Sequence, residues 1–97
     1  MEIQTQKTQI VCEGWEIVLV NPSTLMPMVL TRNVAEIELQ PNLYWVRLEK
    51  GAQRVSYDLH VSFGRMLVLP RLGGSQREYF EDPDGGVCAR FVDGKPA

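Results

Sequence analysis

Residues 43–69 constrain the fold more than any other part of the chain, because their apolar side chains alternate with polar ones in two consecutive runs. Residues two apart on a strand share a face of the sheet. The apolar residues stand at even positions in the first run and at odd positions in the second: Tyr44, Val46 and Leu48, then Val55, Tyr57, Leu59, Val61 and Phe63. A hairpin loop with an even number of residues pairs even with odd positions, so the stretch predicts an antiparallel meander with one apolar face.

Two loops between the runs keep this parity. A loop at residues 51–52 pairs Leu48 with Val55, and its leading glycine suits the first central position of a type II′ turn. A loop at residues 50–51 instead pairs Val46 with Val55. Both loops place the same apolar residues on one face, so the prediction of that face holds for either register.

The rest of the chain also favours strands, because no window places apolar residues at helical spacing and turn signals recur at short intervals. A turn near residues 63–65 adds Met66 and Val68 to the apolar face of the meander. Further strands are predicted at residues 9–20, 34–40, 77–81 and 87–92. The predicted fold is all-β with little or no helix: a single small antiparallel β-sandwich, or a closed or partly open barrel, built around the three-strand meander at about residues 43–69.

Three local features add detail to this strand pattern. Gly14 stands inside the first strand and predicts a bulge or a bend there. Pro27 predicts that residues 25–31 form an edge strand or an irregular segment, because proline has no N–H to donate. We expect a turn at residues 32–33, and residues 82–85, Asp-Pro-Asp-Gly, have the pattern of a type I turn.

Length and cysteine content bound the kind of protein. A chain of 97 residues suits one domain, 1–97, and we expect its polar ends, residues 1–8 and 93–97, to be loose. The first residues lack the basic and apolar regions of a signal peptide, and no apolar run is long enough to span a membrane. Cys12 and Cys88 lie far apart in the sequence, and we expect reduced thiols in a cytoplasmic protein with no membrane partner.

Charge and motif content narrow the function further. The net charge is −2 with no run of Lys or Arg, so we expect no nucleic-acid partner. Ser56, Asp58 and His60 share the polar side of one strand, but the His of a catalytic triad lies between the acid and the nucleophile. Here the acid lies in the middle, and no set of Cys and His residues has metal-site spacing. We expect neither catalytic residues nor a metal or cofactor.

Residues 39–48 read Leu-Gln-Pro-Asn-Leu-Tyr-Trp-Val-Arg-Leu, and Gly51 follows them. This segment resembles the strand–turn–strand pattern L-x-P-G-x-Y-x-V-x-L of several immunoglobulin-like and transthyretin-like accessory modules. Asn42 stands here in place of the glycine. The resemblance implies the sandwich form of the predicted all-β fold.

The polar side of the meander is the candidate binding surface, because it combines Trp, Arg and Leu instead of the Lys, Glu and Thr of a solvated sheet. Aromatic and arginine residues are enriched in the cores of protein interfaces. We therefore expect a non-catalytic interaction or assembly protein that binds a protein partner or itself, with a dimer favoured; a small virion or mobile-element accessory protein fits this description. The candidate binding residues are Trp45, Arg47, Arg54, Asp58, His60, Leu67 and Leu69.

An alternative function belongs to a different class. Small β-barrels can hold one small molecule in a pocket lined by aromatic and flexible apolar residues. The residues expected to line such a pocket in this chain are Trp15, Met26, Met28 and Tyr44.

Overall fold

The computed structural model describes residues 4–97 and places them in a single eight-stranded sheet that curls into a nearly closed barrel. The expected all-β class is confirmed, and within the described residues there is no helix. The strands are β1 (Gln6–Asn21), β2 (Met26–Leu39), β3 (Asn42–Lys50), β4 (Gln53–Ser62), β5 (Arg65–Pro70), β6 (Arg77–Phe80), β7 (Val87–Val92) and β8 (Lys95–Pro96).

Strand β1 is central to the barrel because three other strands pair with its two edges. Strand β2 lies antiparallel along one edge of β1 for almost its whole length. The other edge is divided: β7 pairs in parallel with residues 8–12, and β3 pairs antiparallel with residues 16–20. The meander β3–β4–β5–β6 then leads round the barrel, and a bridge between Glu81 and Val87 joins its far end to β7.

The bend expected at Gly14 is confirmed as a bulge in β1. Cys12 pairs with Asn33 and Glu16 pairs with Arg32, so residues 13–15 have no partners on β2. Gly14 takes a φ of 82°, and its N–H donates to the side-chain oxygen of Asn33 at 2.8 Å. Because the bulge holds an odd number of residues, it exchanges the inward and outward positions of β1. Even-numbered residues face the core before the bulge, and odd-numbered residues face it afterwards.

The turn predicted at residues 32–33 is wrong, because β2 is one continuous strand there. Asn33 adopts a left-handed φ of 71° and bends β2 opposite the β1 bulge, while the ladder continues on both sides. Pro27 is accommodated as expected of an edge strand, since no strand within residues 4–97 pairs with the outer edge of β2.

The meander has the register of the loop at residues 51–52. Leu48 pairs with Val55 across the hairpin, and Gly51 has the positive φ, 59°, that the first central position of a type II′ turn requires. The alternative loop at residues 50–51 is thereby excluded.

The next turn brings the predicted side chains inward with one exception. Met66 and Val68 on β5 are fully buried, as expected. Phe63 is 54% exposed, so its prediction as a member of the apolar face is wrong. The reason is that Phe63 and Gly64 form the turn between β4 and β5, where the alternation of the strand has ended.

Side chains fill the interior of the barrel, as in other barrels of small strand number. Tyr57 and Phe91 both belong to the core, and their ring centroids lie 5.2 Å apart. The fully buried side chains come from strands all round the sheet: Ile10, Ile17, Leu19, Leu39, Val46, Leu48, Leu59, Met66, Val68 and Val87.

The amino end is more firmly attached than the expected loose segment 1–8. Residues 1–3 lie outside the described part of the chain, but β1 already begins at Gln6, whose side chain is buried. The amide oxygen of Gln6 accepts the N–H of Gly64 at 2.8 Å, and its amide nitrogen donates to the carbonyl of Gly85 at 3.3 Å. This one side chain therefore ties two loops to β1.

The carboxyl end is likewise not loose. Strand β8 pairs with β7, and the hydroxyl of Tyr57 donates a hydrogen bond to the carbonyl of Gly94. The turn predicted at residues 82–85 is present, with the N–H of Gly85 bonded to the carbonyl of Asp82 at 2.9 Å. The expected final hairpin is incomplete, since only the bridge between Glu81, which follows β6, and Val87 joins its two predicted strands, and β7 pairs mainly with β1.

Candidate interaction surface

All seven candidate binding residues lie on the convex side of the barrel. Cross-strand partners point to the same side of a sheet. The pairings place Asp58 between Trp45 and Leu69, and His60 beside Leu67. We use the term outer face for this set: Trp45, Arg47, Arg54, Asp58, His60, Leu67 and Leu69. The parity of the meander therefore predicted correctly which side chains share this side of the sheet.

Two residues of the outer face, Trp45 and Asp58, form a cluster with Arg71, which directly follows β5. The guanidinium carbon of Arg71 lies 4.2 Å from the centre of the Trp45 ring, in the geometry of a cation–π contact. Arg71 Nε is also 3.7 Å from Asp58 Oδ1, which is an ion pair but too long for a hydrogen bond. Asp58 Oδ1 is buried and accepts no hydrogen bond from residues 4–97. The cluster thus contains one acceptor that the described chain leaves unsatisfied.

Glu49 forms ion pairs with both arginines of the outer face, Arg47 and Arg54. Its carboxylate accepts hydrogen bonds from Arg47 Nε at 3.1 Å and from Arg54 Nη2 at 3.0 Å. Partial burial alone would raise the pKa of Glu49, but the bonds from the two arginines outweigh it and hold the pKa below its ordinary value. Glu49 was not a candidate residue, although its position opposite Arg54 follows from the hairpin register.

Two valines of β1 extend the apolar part of the outer face. Val20 pairs with Trp45 and Val18 pairs with Arg47, and both valines are buried although they point outward. On the other edge of β1, Val18 pairs with Leu30 of β2, which is 65% exposed. Val18 and Val20 could not be found from the meander alone, because their side depends on the bulge and on the pairing of β1 with β3.

The outer face is open within the described structure. The extensive contacts between strands are those of sheet neighbours and of the seam where β5 and β6 approach β7, so no strand of residues 4–97 packs extensively over the outer face. His60 is exposed, and Trp45, Leu67 and Leu69 are each half-buried by their neighbours in the sheet. The surface therefore presents apolar and aromatic area to whatever lies next to it.

The four residues of the alternative pocket are not brought together. Trp15 and Tyr44 are each 5% exposed and belong to the barrel core, and the Tyr44 hydroxyl donates to the carbonyl of Gln40 at 2.9 Å. Met26 and Met28 lie on edge strand β2 and are 64% and 40% exposed. They and the two aromatic residues do not enclose a common cavity.

A groove of about 480 Å³ lies elsewhere, between the β1–β2 ladder and the loop that precedes β7. Its rim is acidic, with Glu36 and Glu38 on one wall and Asp82 and Asp84 on the other. In the part of the chain that the structure describes, no three His, Cys, Asp or Glu side chains are placed to hold a metal ion.

Cys12 and Cys88 are both free and buried. Burial raises the pKa of each thiol, which disfavours the reactive thiolate. No helix among residues 4–97 has the length and apolar character of a transmembrane span.

No protein-family model, no curated protein sequence and no solved structure matches this chain. Its functional assignment therefore depends on the geometry and chemistry of the surface described above.

Proposed function

We propose that the protein is a non-catalytic assembly protein that associates with a second copy of itself through the outer face. The observation that carries the proposal is the half-buried strip of Trp45, Leu67 and Leu69 on a sheet that no strand of residues 4–97 covers. Apolar centres with aromatic and arginine residues characterise protein interfaces more than they characterise solvated sheets.

The chemistry of the strip resembles that of interface hot spots. A tryptophan buried against a partner commonly contributes 2 kcal/mol or more to binding, about thirtyfold in affinity. Arg71 already stacks on Trp45, and Glu49 already orders Arg47 and Arg54. Side chains that are ordered before binding lose less conformational entropy when the complex forms.

A second copy is the simplest partner for such a face. Most soluble assemblies are homo-oligomers, and a two-fold axis lets one patch pack on its own image. In such a pair the arginines and the carboxylates of Asp58 and Glu49 are both available to the opposing copy.

The test is the molar mass of the protein in solution, measured by light scattering over a range of concentrations. We expect the wild type to exceed the 11.0 kDa of one chain, and the double substitution Trp45→Ala with Leu67→Ser to lower that mass. Val92→Ser is the matched control, because Val92 is 63% exposed but lies on β7, away from the outer face. The control should keep the wild-type mass.

Circular dichroism establishes that each variant keeps its sheet structure. A wild type that stays at the mass of one chain, or a Trp45 and Leu67 variant that keeps the wild-type mass, would contradict the proposal.

A further inference from the structure

The outer edge of β2 is a second surface at which a partner could bind, because this edge of the sheet is unpaired among residues 4–97. Strand β2 pairs with β1 along one edge, and among the described residues no strand pairs with the other. An open edge of this length presents unpaired backbone donors and acceptors to any strand that approaches. Lysine, a common protection of such edges, does not occur in β2, whose charged residues are Arg32, Glu36 and Glu38.

The outward side of β2 carries apolar and charged residues in an order that is complementary to an antiparallel second copy of the same strand. Leu30, Arg32, Val34, Glu36 and Glu38 alternate along this side, and Leu30 and Val34 are 65% and 39% exposed. The ion pairs within residues 4–97 do not include Arg32. One oxygen of Glu36 accepts a hydrogen bond from Gln9, and the other oxygen is available.

Charge and apolar contact together favour one register for two antiparallel copies of this strand. A two-fold axis at Val34 places Arg32 of each copy opposite Glu36 of the other, and Val34 opposite itself. An axis at Glu36 or at Ile37 instead places glutamate opposite glutamate, which is unfavourable for directly opposed residues. An axis at Ala35 also opposes Arg32 to a glutamate, Glu38, but it sets the apolar Val34 opposite Glu36 instead of opposite itself. The pattern is therefore self-complementary at Val34.

The shape of β2 agrees with this axis. The strand bends at Asn33, where φ is 71°. With the axis at Val34, the bends of the two copies lie on either side of it and one residue away, so the strands can follow each other's curvature. Pro27, which has no N–H to donate, lies outside the paired stretch of residues 30–38.

We propose that β2 pairs with β2 of a second copy, as antiparallel strands about a two-fold axis at Val34. The axis runs perpendicular to the sheet at β2. The contact is separate from the outer face and does not depend on it. A molecule that uses both contacts assembles into a species larger than a dimer.

Cysteine cross-linking tests the register directly. In Val34→Cys the two new thiols stand on opposed residues, whose Cα atoms are about 4.5–5.5 Å apart in antiparallel sheets, within the range that disulfides span. We expect a covalent dimer on mild oxidation, because Cys12 and Cys88 are buried and contribute little background. Leu30→Cys is the control: it is exposed on the same side of β2, but its two copies are about 27 Å apart at the strand rise per residue. It should not cross-link.

A charge exchange supplies a second measurement that leaves the core untouched. Arg32→Glu and Glu36→Arg each place like charges opposite one another twice, and each should weaken the association of the edge by about tenfold. The double exchange restores opposite charges and should return the dissociation constant to near the wild-type value. These constants are measured by sedimentation equilibrium in the Trp45→Ala and Leu67→Ser background.

The same background separates this proposal from the one for the outer face. A Val34→Cys cross-link that persists there supports edge pairing whether or not the outer face associates. If Val34→Cys cross-links no faster than Leu30→Cys, or if the double exchange fails to restore association, edge pairing is refuted. The mass change caused by the Trp45 and Leu67 substitutions is then judged separately.

Discussion

Gly94→Ala is the substitution that most sharply tests how the barrel is closed at the carboxyl end. Gly94 lies in the turn between β7 and β8 with a φ of 78°, a conformation that side chains rarely adopt. A Cβ at this position would lie 3.0 Å from Trp15 Cη2 and 3.2 Å from Val55 Cγ1. The carbonyl of the same residue accepts the hydroxyl of Tyr57. The new methyl group would therefore press against Trp15 and Val55, and the hydrogen bond from Tyr57 opposes a shift of the turn away from them.

Two costs add in this substitution. The left-handed conformation costs about 1–2 kcal/mol for a residue with a side chain. Overpacking of a well-filled site costs about 1–3 kcal/mol. We expect Gly94→Ala to lower the free energy of unfolding by roughly 2–5 kcal/mol, a large part of the roughly 5–15 kcal/mol that stabilises a typical domain.

Urea denaturation followed by tryptophan fluorescence and circular dichroism measures the loss. Gly14→Ala is the matched control, since Gly14 has a φ of 82° but no atom lies within 4 Å of the position of its Cβ. The control carries only the conformational cost, so the two variants should differ by about 1–3 kcal/mol. Equal losses in both variants would refute the packing of the turn on Trp15, and a stable Gly94→Ala would refute both arguments.

Two further predictions concern the core and the outer face. Leu48→Ala empties a fully buried site and should cost about 2–5 kcal/mol in urea denaturation, whereas Leu72→Ala, at a fully exposed leucine, should stay within about 0.5 kcal/mol of wild type. Glu49→Gln weakens the contacts of Arg47 and Arg54 and should cost at most about 1 kcal/mol at neutral pH. Because the folded pKa of Glu49 is lowered, its contribution is complete above the unfolded pKa and is lost as the pH falls through the folded pKa. The unfolding energies of Glu49→Gln and wild type should therefore converge in acid, and a difference that stays constant in a pH series would contradict this assignment.

The meander and the membership of the outer face could be predicted from the sequence, because both depend on local alternation and turn chemistry. Leu48 had to face the core with Val55 if the loop held an even number of residues, and Gly51 suited one such loop. Trp45 and Asp58 then had to share the opposite side. A slip of one residue would have placed every core side chain of the meander in water, so burial enforces the pattern that the sequence shows.

The tertiary structure decided everything that depends on which edges meet. The bulge at residues 13–15 reverses the facing of β1 and thereby places Val18 and Val20 on the outer face, although alternation alone does not reveal how many residues a bulge holds. Contacts between distant segments also decide three other features. These are the parallel pairing of β7 with β1, the continuity of β2 as one strand along β1, and the attachment of both chain ends. Alternation within a strand specifies its two faces, whereas its edges carry the same backbone groups in every sequence, so only the packing of the whole chain selects their partners.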